Sequence, residues 1–188
     1  IVTDYDGVFP TEHAEVLSLP GVGPYTAGAV CSFAYHQAEP LVDANVARLF
    51  SRLFNYQERV DSTSGLKQLW LWAGDLLDVE QPATYNSALM ELGQKICKNR
   101  TPQCEACPVR NFCSADIPED LPKKKEKRAT VDVLEQCVWM LKEGELLMTQ
   151  QPANGRREGM WALPQQKIDQ RKNPIYQAKY GITHHRVD

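Results

Sequence analysis

Four cysteines lie close together in the second half of the chain. Six, two and five residues separate them in the order Cys97, Cys104, Cys107 and Cys113. Four thiolates at such spacing can enclose a zinc ion or a 4Fe–4S cluster. Structural zinc sites usually pair two Cys-x-x-Cys units, whereas here only Cys104 and Cys107 form one. The irregular spacing favours an iron–sulfur cluster and leaves a zinc-binding interaction domain as an alternative.

A candidate catalytic carboxylate lies upstream of the cysteines, in the segment Val42-Asp43-Ala44-Asn45-Val46. Asp43 stands at the start of a predicted amphipathic helix, where an aspartate can serve simply as the N-cap. A carboxylate at a helix N-terminus can also stabilise a positively charged sugar while a glycosidic bond breaks. Asn45 is close enough in sequence to orient that carboxylate or a reacting group.

A glycine-containing turn precedes this segment: Leu19-Pro20-Gly21-Val22-Gly23, followed by Pro24-Tyr25-Thr26-Ala27. Glycines permit a tight turn, and the bare amides at the start of the next helix favour an anion. We expect Gly21, Val22, Gly23 and Thr26 to bind a DNA phosphate. An ordinary packing turn between two helices is the alternative reading of this segment alone.

The remaining two cysteines belong to apolar segments. Cys31 lies in a predicted helix and Cys137 in a predicted strand, so we expect both to be buried core thiols. No signal peptide opens the chain, and six cysteines without one argue against a disulfide framework.

Composition is that of a globular protein: 188 residues, 43% hydrophobic, with a formal net charge of −3. No apolar run approaches the roughly 18 residues of a membrane span. We therefore expect a cytoplasmic protein, or a nuclear one in a eukaryote. The charge is uneven, since nine basic and five acidic residues lie between Lys95 and Arg128. The run from Lys123 to Arg128 is either a solvated linker or a segment that contacts phosphates.

Helices must position these groups. A short helix capped by Thr11 should end near Leu19, and a second should begin near Tyr25. Apolar residues at helical spacing predict three more helices, over about 42–53, 66–77 and 85–96. Ser62, Thr63 or Ser64 can cap the middle one, and Pro82 suits the first turn of the last. Trp70 and Trp72 are predicted to be packing residues.

The pattern changes after Cys113. Prolines and lysines predict a linker over 114–130. Strands are expected over 136–141 and 146–150, joined by a turn at Glu143-Gly144, and again over 159–164. A second, β-containing domain is therefore predicted to begin at residue 131.

Together, the Leu-Pro-Gly-Val-Gly hairpin, the Val-Asp pair and the four-cysteine loop resemble the helix-hairpin-helix DNA glycosylase superfamily with its 4Fe–4S cluster. The resemblance covers about residues 5 to 113. Residues 131–188 resemble the beginning of the Nudix-like domain found in MutY adenine DNA glycosylases. The implied fold is a mainly α helix-hairpin-helix glycosylase domain with an iron–sulfur loop (1–113), a linker (114–130), and a partial α+β Nudix-like domain (131–188).

Within the superfamily, the segments around Tyr25 and Asp43 are more similar to MutY than to endonuclease III. The latter branch has a Schiff-base lysine where this chain has Tyr25, and usually Thr-His where this chain has Ala44-Asn45. Without that amine an imine with the sugar has no nucleophile, so a lyase activity is disfavoured. An endonuclease III-like glycosylase/lyase and a non-catalytic iron–sulfur DNA-binding module remain the competing classes.

The resemblance implies a monofunctional adenine N-glycosylase, expected to be a monomer, that acts on double-stranded DNA with adenine opposite 8-oxoguanine or guanine. Asp43 would stabilise the sugar cation, with Tyr25 and Asn45 positioning the groups around it. Thr183 and His184 resemble, more weakly, the loop with which the family recognises the lesion, an exposed polar turn being the alternative. The family's general-acid glutamate has no match here, because Glu12 and Glu15 lack its motif. We therefore expect a fragment that is inactive alone.

Overall fold

A computed structural model of the chain describes residues 1–126, 129–154, 157–168, 173–182 and 185–187. The chain divides into two compact units, Ile1–Lys125 and Glu126–Asp188. The boundary between them falls within residues 114–130. Unit 1 contains the hairpin, Asp43 and the four-cysteine loop, and unit 2 contains short strands.

Unit 1 is helical. Its five α-helices are α1 (His13–Ser18), α2 (Pro24–Tyr35), α3 (Ala44–Leu53), α4 (Thr63–Asp75) and α5 (Pro82–Glu91). A π-helix, Leu92–Ile96, continues directly from α5. Three single turns of 3-10 helix follow in the cysteine loop and beyond it: Cys104–Ala106, Arg110–Phe112 and Pro118–Asp120.

The core of unit 1 forms on the apolar face of α3. Val46 and Phe50 on this helix are fully buried, together with Leu69 of α4. A smaller cluster joins α1 to α2 through Val16, Ala27 and Cys31. Trp72 packs against this core, and its ring stacks on Phe54 with 4.4 Å between ring centroids. The helices that carry the hairpin and Asp43 are thus held by burial of their own apolar faces.

Helix termini follow most of the expected capping residues. Asp43 caps α3, the Ser62 side chain accepts from the amide of Gly65 at the start of α4, and Pro82 begins α5. The prediction that Thr11 caps α1 is wrong. Glu12 precedes α1 without a side-chain cap, and the Thr11 carbonyl instead accepts from the Gln37 side chain.

The last predicted helix is not α-helical throughout. Its α-helical part ends at Glu91, and the next five residues form the π-helix that leads to Cys97. This widened turn lies against the start of α3, where Arg48 donates to the Gly93 carbonyl at 2.6 Å. The change from α-helix to π-helix occurs at this contact between α3 and residues 92–96, which are distant in sequence. The apolar spacing over 85–96 does not indicate it.

Unit 2 consists of short strands in its described part: β1 (Val131–Val133), β2 (Gln136–Cys137), β3 (Leu141–Lys142), β4 (Glu145–Leu146), β5 (Thr149–Gln150), β6 (Trp161–Ala162), β7 (Gln165–Gln166), β8 (Tyr180–Ile182) and β9 (His185–Val187). The largest sheet has the order β1-β9-β8, with β1 parallel and β8 antiparallel to β9. Antiparallel pairs join β2 to β7, β3 to β4 and β5 to β6.

The predicted turn at Glu143-Gly144 is confirmed. Leu141 pairs with Leu146 and Lys142 with Glu145, which leaves two residues in the hairpin loop. Glu143 and Gly144 have φ angles of 54° and 85°. A two-residue loop with both φ angles positive matches the right-handed twist of its strands.

Cys31 is fully buried, as expected, but the prediction of a buried Cys137 is wrong. Cys137 lies in the two-residue strand β2, paired with β7, and is exposed. A strand this short has too little covering structure to bury both of its faces. None of the helices in the described part of the chain combines the length and the hydropathy that crossing a membrane requires.

Candidate active site and cysteine cavity

The Asp43 carboxylate is half-buried and held by three N–H donors. Its Oδ1 accepts from the amides of Asn45 at 2.9 Å and Val46 at 2.7 Å. Its Oδ2 accepts from the Asn45 side-chain amide at 2.9 Å. These bonds fix the orientation of the carboxylate at the N-terminus of α3, where the helix dipole also favours negative charge.

Arg48 continues this hydrogen-bond chain from the carboxylate. Its Nη2 donates to Asn45 Oδ1 at 2.9 Å, which leaves the Asn45 amide nitrogen facing Asp43. The same guanidinium donates through Nε to the Cys97 carbonyl at 2.8 Å. Burial lowers the pKa of Arg48 from its ordinary value. The bond to the Cys97 carbonyl holds the guanidinium in place. The guanidinium in turn sets the position of the Asn45 side-chain amide.

The glycine hairpin joins α1 to α2 with an open outer surface. Gly21 has a φ of 81°, which favours glycine, and the amide of Val22 closes the turn onto the Leu19 carbonyl at 3.0 Å. A Cβ built at Gly21 or Gly23 would meet no atom within 4 Å. The first amides of a helix have no intrahelical acceptor, and at Gly23 no side chain caps α2 to replace one. An anion can therefore approach these amides.

Tyr25 and Thr26 lie in the first turn of α2, and both are exposed. Among the described residues, no hydrogen bond joins Tyr25 to Asp43. Thr183 and His184, the predicted lesion-recognition residues, lie outside the described residues. The structure thus assembles Asp43 with Asn45, and the hairpin glycines with Thr26, as two separate local arrangements.

All four predicted ligand cysteines line one cavity of about 730 Å³. Cys97 is buried, Cys104 and Cys107 are half-buried, and Cys113 is exposed. The pKa of Cys104 is raised, first by burial and then by the charges of the other three thiols. Four thiols sharing a cavity suit a metal cofactor.

A single zinc ion and a 4Fe–4S cluster require different arrangements of four sulfurs. Four cysteines bound to one zinc ion must bring every sulfur to about 2.3 Å from it. Within the described part of the chain, no three histidine, cysteine, aspartate or glutamate side chains converge closely enough to hold one metal ion. A 4Fe–4S cluster takes one cysteine at each of four irons, so its ligands surround a larger volume. The donor set and the cavity fit a cluster.

Arg52 forms the wall between this cavity and the core. It is 1% exposed. Its Nη1 lies 3.3 Å from Cys97 Sγ and donates to the Lys98 carbonyl at 2.7 Å, while Nη2 donates to the Asn99 carbonyl at 2.8 Å. Its Nε donates to the Leu121 carbonyl at 3.1 Å. One buried cation thereby joins α3 to the start of the cysteine loop and to Leu121 beyond its end.

Arg48 and Arg52 are not among the site residues predicted from the sequence, although a signal for them exists. The apolar residues of α3 recur at helical spacing, and these two arginines lie on its buried side, four residues apart. A charged residue at a core position requires buried acceptors. The carbonyls of Cys97 and Lys98 fill that role.

Comparisons with known proteins point to glycosylases. Residues 4–33 match the model of the helix-hairpin-helix motif. An adenine DNA glycosylase of Arabidopsis thaliana is 31% identical, and the match covers 83% of this chain and 28% of the relative. The Homo sapiens adenine DNA glycosylase is 43% identical over 61% of this chain and 21% of its own length. The adenine DNA glycosylase of Mycolicibacterium smegmatis is 35% identical, over 68% of this chain and 44% of its own.

Solved structures give the same fold. A thermostable thymine-DNA glycosylase superposes with a TM-score of 0.55 at 35% identity, covering 60% of this chain and 52% of its own. Endonuclease III in a non-covalent DNA complex gives a TM-score of 0.51 at 28% identity, over 60% and 51% of the two chains. The helical unit therefore has the helix-hairpin-helix glycosylase fold. The present chain spans less than half the length of these adenine DNA glycosylases.

Proposed function

We propose that the full-length protein containing this chain, which is homologous to the MutY-type adenine DNA glycosylases of the helix-hairpin-helix superfamily, acts in base excision repair as a monofunctional adenine N-glycosylase. Its substrate is double-stranded DNA with adenine opposite 8-oxoguanine or guanine. The observation that carries the proposal is the Asp43 carboxylate, fixed by three N–H donors at the N-terminus of α3. The adenine DNA glycosylases similar to this chain support the choice of base.

Asp43 stabilises the positive charge that develops on the deoxyribose as the bond to adenine breaks, either as an ion pair or as a transient covalent partner. Preorganisation matters because a carboxylate already held by Asn45 and Val46 need not reorient during the reaction. Asn45 and Arg48 are positioning residues. Water then completes the hydrolysis. We assign the proton donor for the departing adenine to none of the described carboxylates, since Glu12 before α1 and Glu15 in its first turn are both exposed.

DNA contacts come from the hairpin. The open amides after Gly23 bind a backbone phosphate, assisted by the Thr26 hydroxyl. The adenine must leave the base stack before it reaches Asp43, at a cost of roughly a few kcal/mol. Tyr25, exposed on the first turn of α2, lies beside the sugar and offers no amine for a covalent imine.

Cys97, Cys104, Cys107 and Cys113 hold a 4Fe–4S cluster. When bound, the cluster supplies four iron–thiolate bonds that order the loop between Cys97 and Cys113. Lys98, Arg100 and Arg110 on this loop contact the DNA backbone, and the exposed Arg110 is paired with Glu105 at 2.5 Å before DNA binds. Their role is to position the duplex, and base recognition lies elsewhere.

Unit 2 contributes recognition of the opposing base. We propose that residues 131–188 are part of a Nudix-like domain of the α+β class, preceded by a linker over 114–130, and that Thr183 and His184 contact the 8-oxoguanine. The β8–β9 pair, with Ile182 opposite His185, brackets these two residues.

An endonuclease III-type glycosylase/lyase is the second candidate. Its supporting observation is the structural similarity to an endonuclease III–DNA covalent intermediate at 28% identity. A lyase requires an amine nucleophile, which Tyr25 lacks. Borohydride treatment of the reaction with 8-oxoguanine:adenine duplex separates the two, because it traps a covalent adduct only if an imine forms.

The Asp43→Asn variant tests the glycosylase proposal in the full-length protein. Asparagine caps helices about as well as aspartate, so α3 keeps its N-cap. We expect duplex binding to remain and thermal stability to fall only by the loss of the Asn45 side-chain bond to Oδ2, while the single-turnover rate of adenine release falls by about a thousandfold or more, as for other lost charge-stabilising groups. Adenine release is followed by alkaline strand cleavage and gel electrophoresis.

Asp78→Asn is the matched control. The Asp78 carboxylate accepts from the amides of Glu80 and Gln81 in the turn before α5, so the substitution repeats the chemical change at an aspartate of similar local geometry. Its adenine release should equal that of the wild type. If Asp43→Asn released adenine at the wild-type rate, Asp43 would be only a helix cap.

A further inference from the structure

Gly93 in the π-helix closely approaches the first turn of α3. It is buried, and a Cβ built on it would lie 2.8 Å from Asn45 Cβ and 3.1 Å from the Asn45 carbonyl oxygen. Real Cβ atoms essentially never approach another heavy atom so closely. Any side chain at position 93 would therefore displace the π-helix or the N-terminus of α3.

The same approach is fixed by a shared donor. Arg48 Nη2 donates both to the Gly93 carbonyl at 2.6 Å and to Asn45 Oδ1 at 2.9 Å. The π-helix and the Asn45 side chain are thus held to one nitrogen atom. Moving Gly93 outward lengthens one of these bonds or pulls Arg48 away from Asn45.

Other glycines of unit 1 do not have this neighbour. A Cβ at Gly28 would meet the Pro40 carbonyl oxygen, one at Gly65 would meet the Arg59 carbonyl oxygen, and one at Gly74 would meet nothing within 4 Å. Only at Gly93, among the glycines whose surroundings the structure describes, does the contact fall on a residue that holds the Asp43 carboxylate.

We propose that Gly93 is a positioning residue for Asp43. Its missing side chain lets the π-helix close onto Asn45, and this contact fixes the Asn45 amide that donates to Asp43 Oδ2. The inference rests on the proposed glycosylase function. A glycine inside a helical segment is otherwise unfavourable for the backbone, and here the close approach accounts for it.

Gly93→Ala in the full-length protein tests this role, with Gly74→Ala as the matched control in α4. We expect Gly93→Ala to lower the single-turnover rate of adenine release by about tenfold to a hundredfold, because a small misplacement of a reacting group has that effect. Iron content and affinity for the 8-oxoguanine:adenine duplex should stay at wild-type values, and the melting temperature should fall by a few degrees at most, as for one overpacked buried position. Gly74→Ala should match the wild type in rate, iron content and duplex affinity, with an equal or higher melting temperature because alanine is the better helix former.

A double-mutant cycle identifies the route of the effect. In an Asn45→Ala background, Gly93→Ala should cause a clearly smaller loss of rate than in the wild type, since the amide through which it acts is gone while the contact with the Cβ and carbonyl of residue 45 remains. An equal loss in both backgrounds overturns the proposal, as does a loss of rate accompanied by loss of iron, which makes Gly93 a packing residue. Wild-type rates in Gly93→Ala also overturn it. A wild-type protein that releases no adenine refutes the glycosylase function itself.

Discussion

At the scale of single residues, the site depends on a few side chains that satisfy several polar atoms each. Arg48 is the clearest case, because its guanidinium donates to the Cys97 carbonyl, the Gly93 carbonyl and the Asn45 side chain. Such a forked donor cannot be replaced by a lysine, which is a point charge without a planar fork. Arg48 therefore contributes both to the stability of the fold and to the positioning of Asp43. Asp43→Asn, by contrast, removes the catalytic charge and keeps the N-cap of α3.

Arg48→Met should consequently lower both stability and adenine release. Methionine keeps most of the side-chain length, but it leaves the Gly93 carbonyl without this donor and the Cys97 carbonyl with only the 3.4 Å bond from Arg52 Nη1, at a cost of about 2 kcal/mol of unfolding free energy. Urea unfolding measures that loss, and single-turnover excision measures the rate. Arg59→Met, which removes an exposed ion pair with Asp61, should change stability by about 0.5 kcal/mol or less. Equal stability losses in the two variants would contradict the assignment.

At the scale of elements, the sequence predicts those helix ends and turns that depend on neighbouring residues. The N-caps at Asp43 and Ser62, the first-turn proline at Pro82 and the Glu143-Gly144 turn each depend on residues within a few positions. The change from α5 to a π-helix could not be predicted, because it occurs at a contact with Asn45, far away in sequence. Apolar spacing specifies which face of a helix is buried and carries no information about such a contact.

The segment after the cysteine loop is a second case, because the sequence did not decide between a solvated linker and a phosphate-contacting segment for its lysines. Its lysine-rich stretch begins as an ordered segment: the amide of Val60 donates to the Lys123 carbonyl at 3.0 Å, and the Lys125 amide donates to Asp61 Oδ2 at 2.9 Å. Leu121 at its start is buried. Residues 121–125 are thus attached to unit 1, which keeps the Lys123, Lys124 and Lys125 side chains on that unit's surface.

Asp61→Ala should release this segment. The Lys125 amide loses its acceptor, so its hydrogen exchange should become several-fold faster, as measured by NMR, while Asp78→Ala should leave it unchanged.

Acid should likewise break the contact between Asp61 and the Lys125 amide in the wild type. The hydrogen bond from Arg59, followed by that from the Lys125 amide, lowers the pKa of Asp61. The contact is therefore complete above the ordinary carboxyl pKa of about 3.9 and is lost as pH falls through the lower folded-state value. Exchange that is insensitive to Asp61→Ala would contradict this attachment.

At the scale of the whole molecule, the two units differ in how much apolar surface they bury. Among the described residues, every buried hydrophobic side chain lies in unit 1, from Val16 to Leu121. Unit 2 exposes Trp139 at 55% and Trp161 at 64%. Burial of apolar surface is the main source of folding free energy, so the units should differ in stability.

Tryptophan fluorescence during urea unfolding of the 188-residue chain can measure the two units separately. Each unit contains two tryptophans, Trp70 and Trp72 in unit 1 and Trp139 and Trp161 in unit 2. Replacing one pair by phenylalanine leaves the other as the reporter. We expect the variant that keeps Trp139 and Trp161 to unfold at a lower urea concentration and with a smaller m-value, because less surface becomes exposed. The variant that keeps Trp139 and Trp161 loses the Phe54–Trp72 stack of unit 1, but its fluorescence reports on unit 2 alone. Coincident midpoints in the two variants would mean that the units unfold as one cooperative structure, with unit 2 stabilised by contacts beyond its own small core.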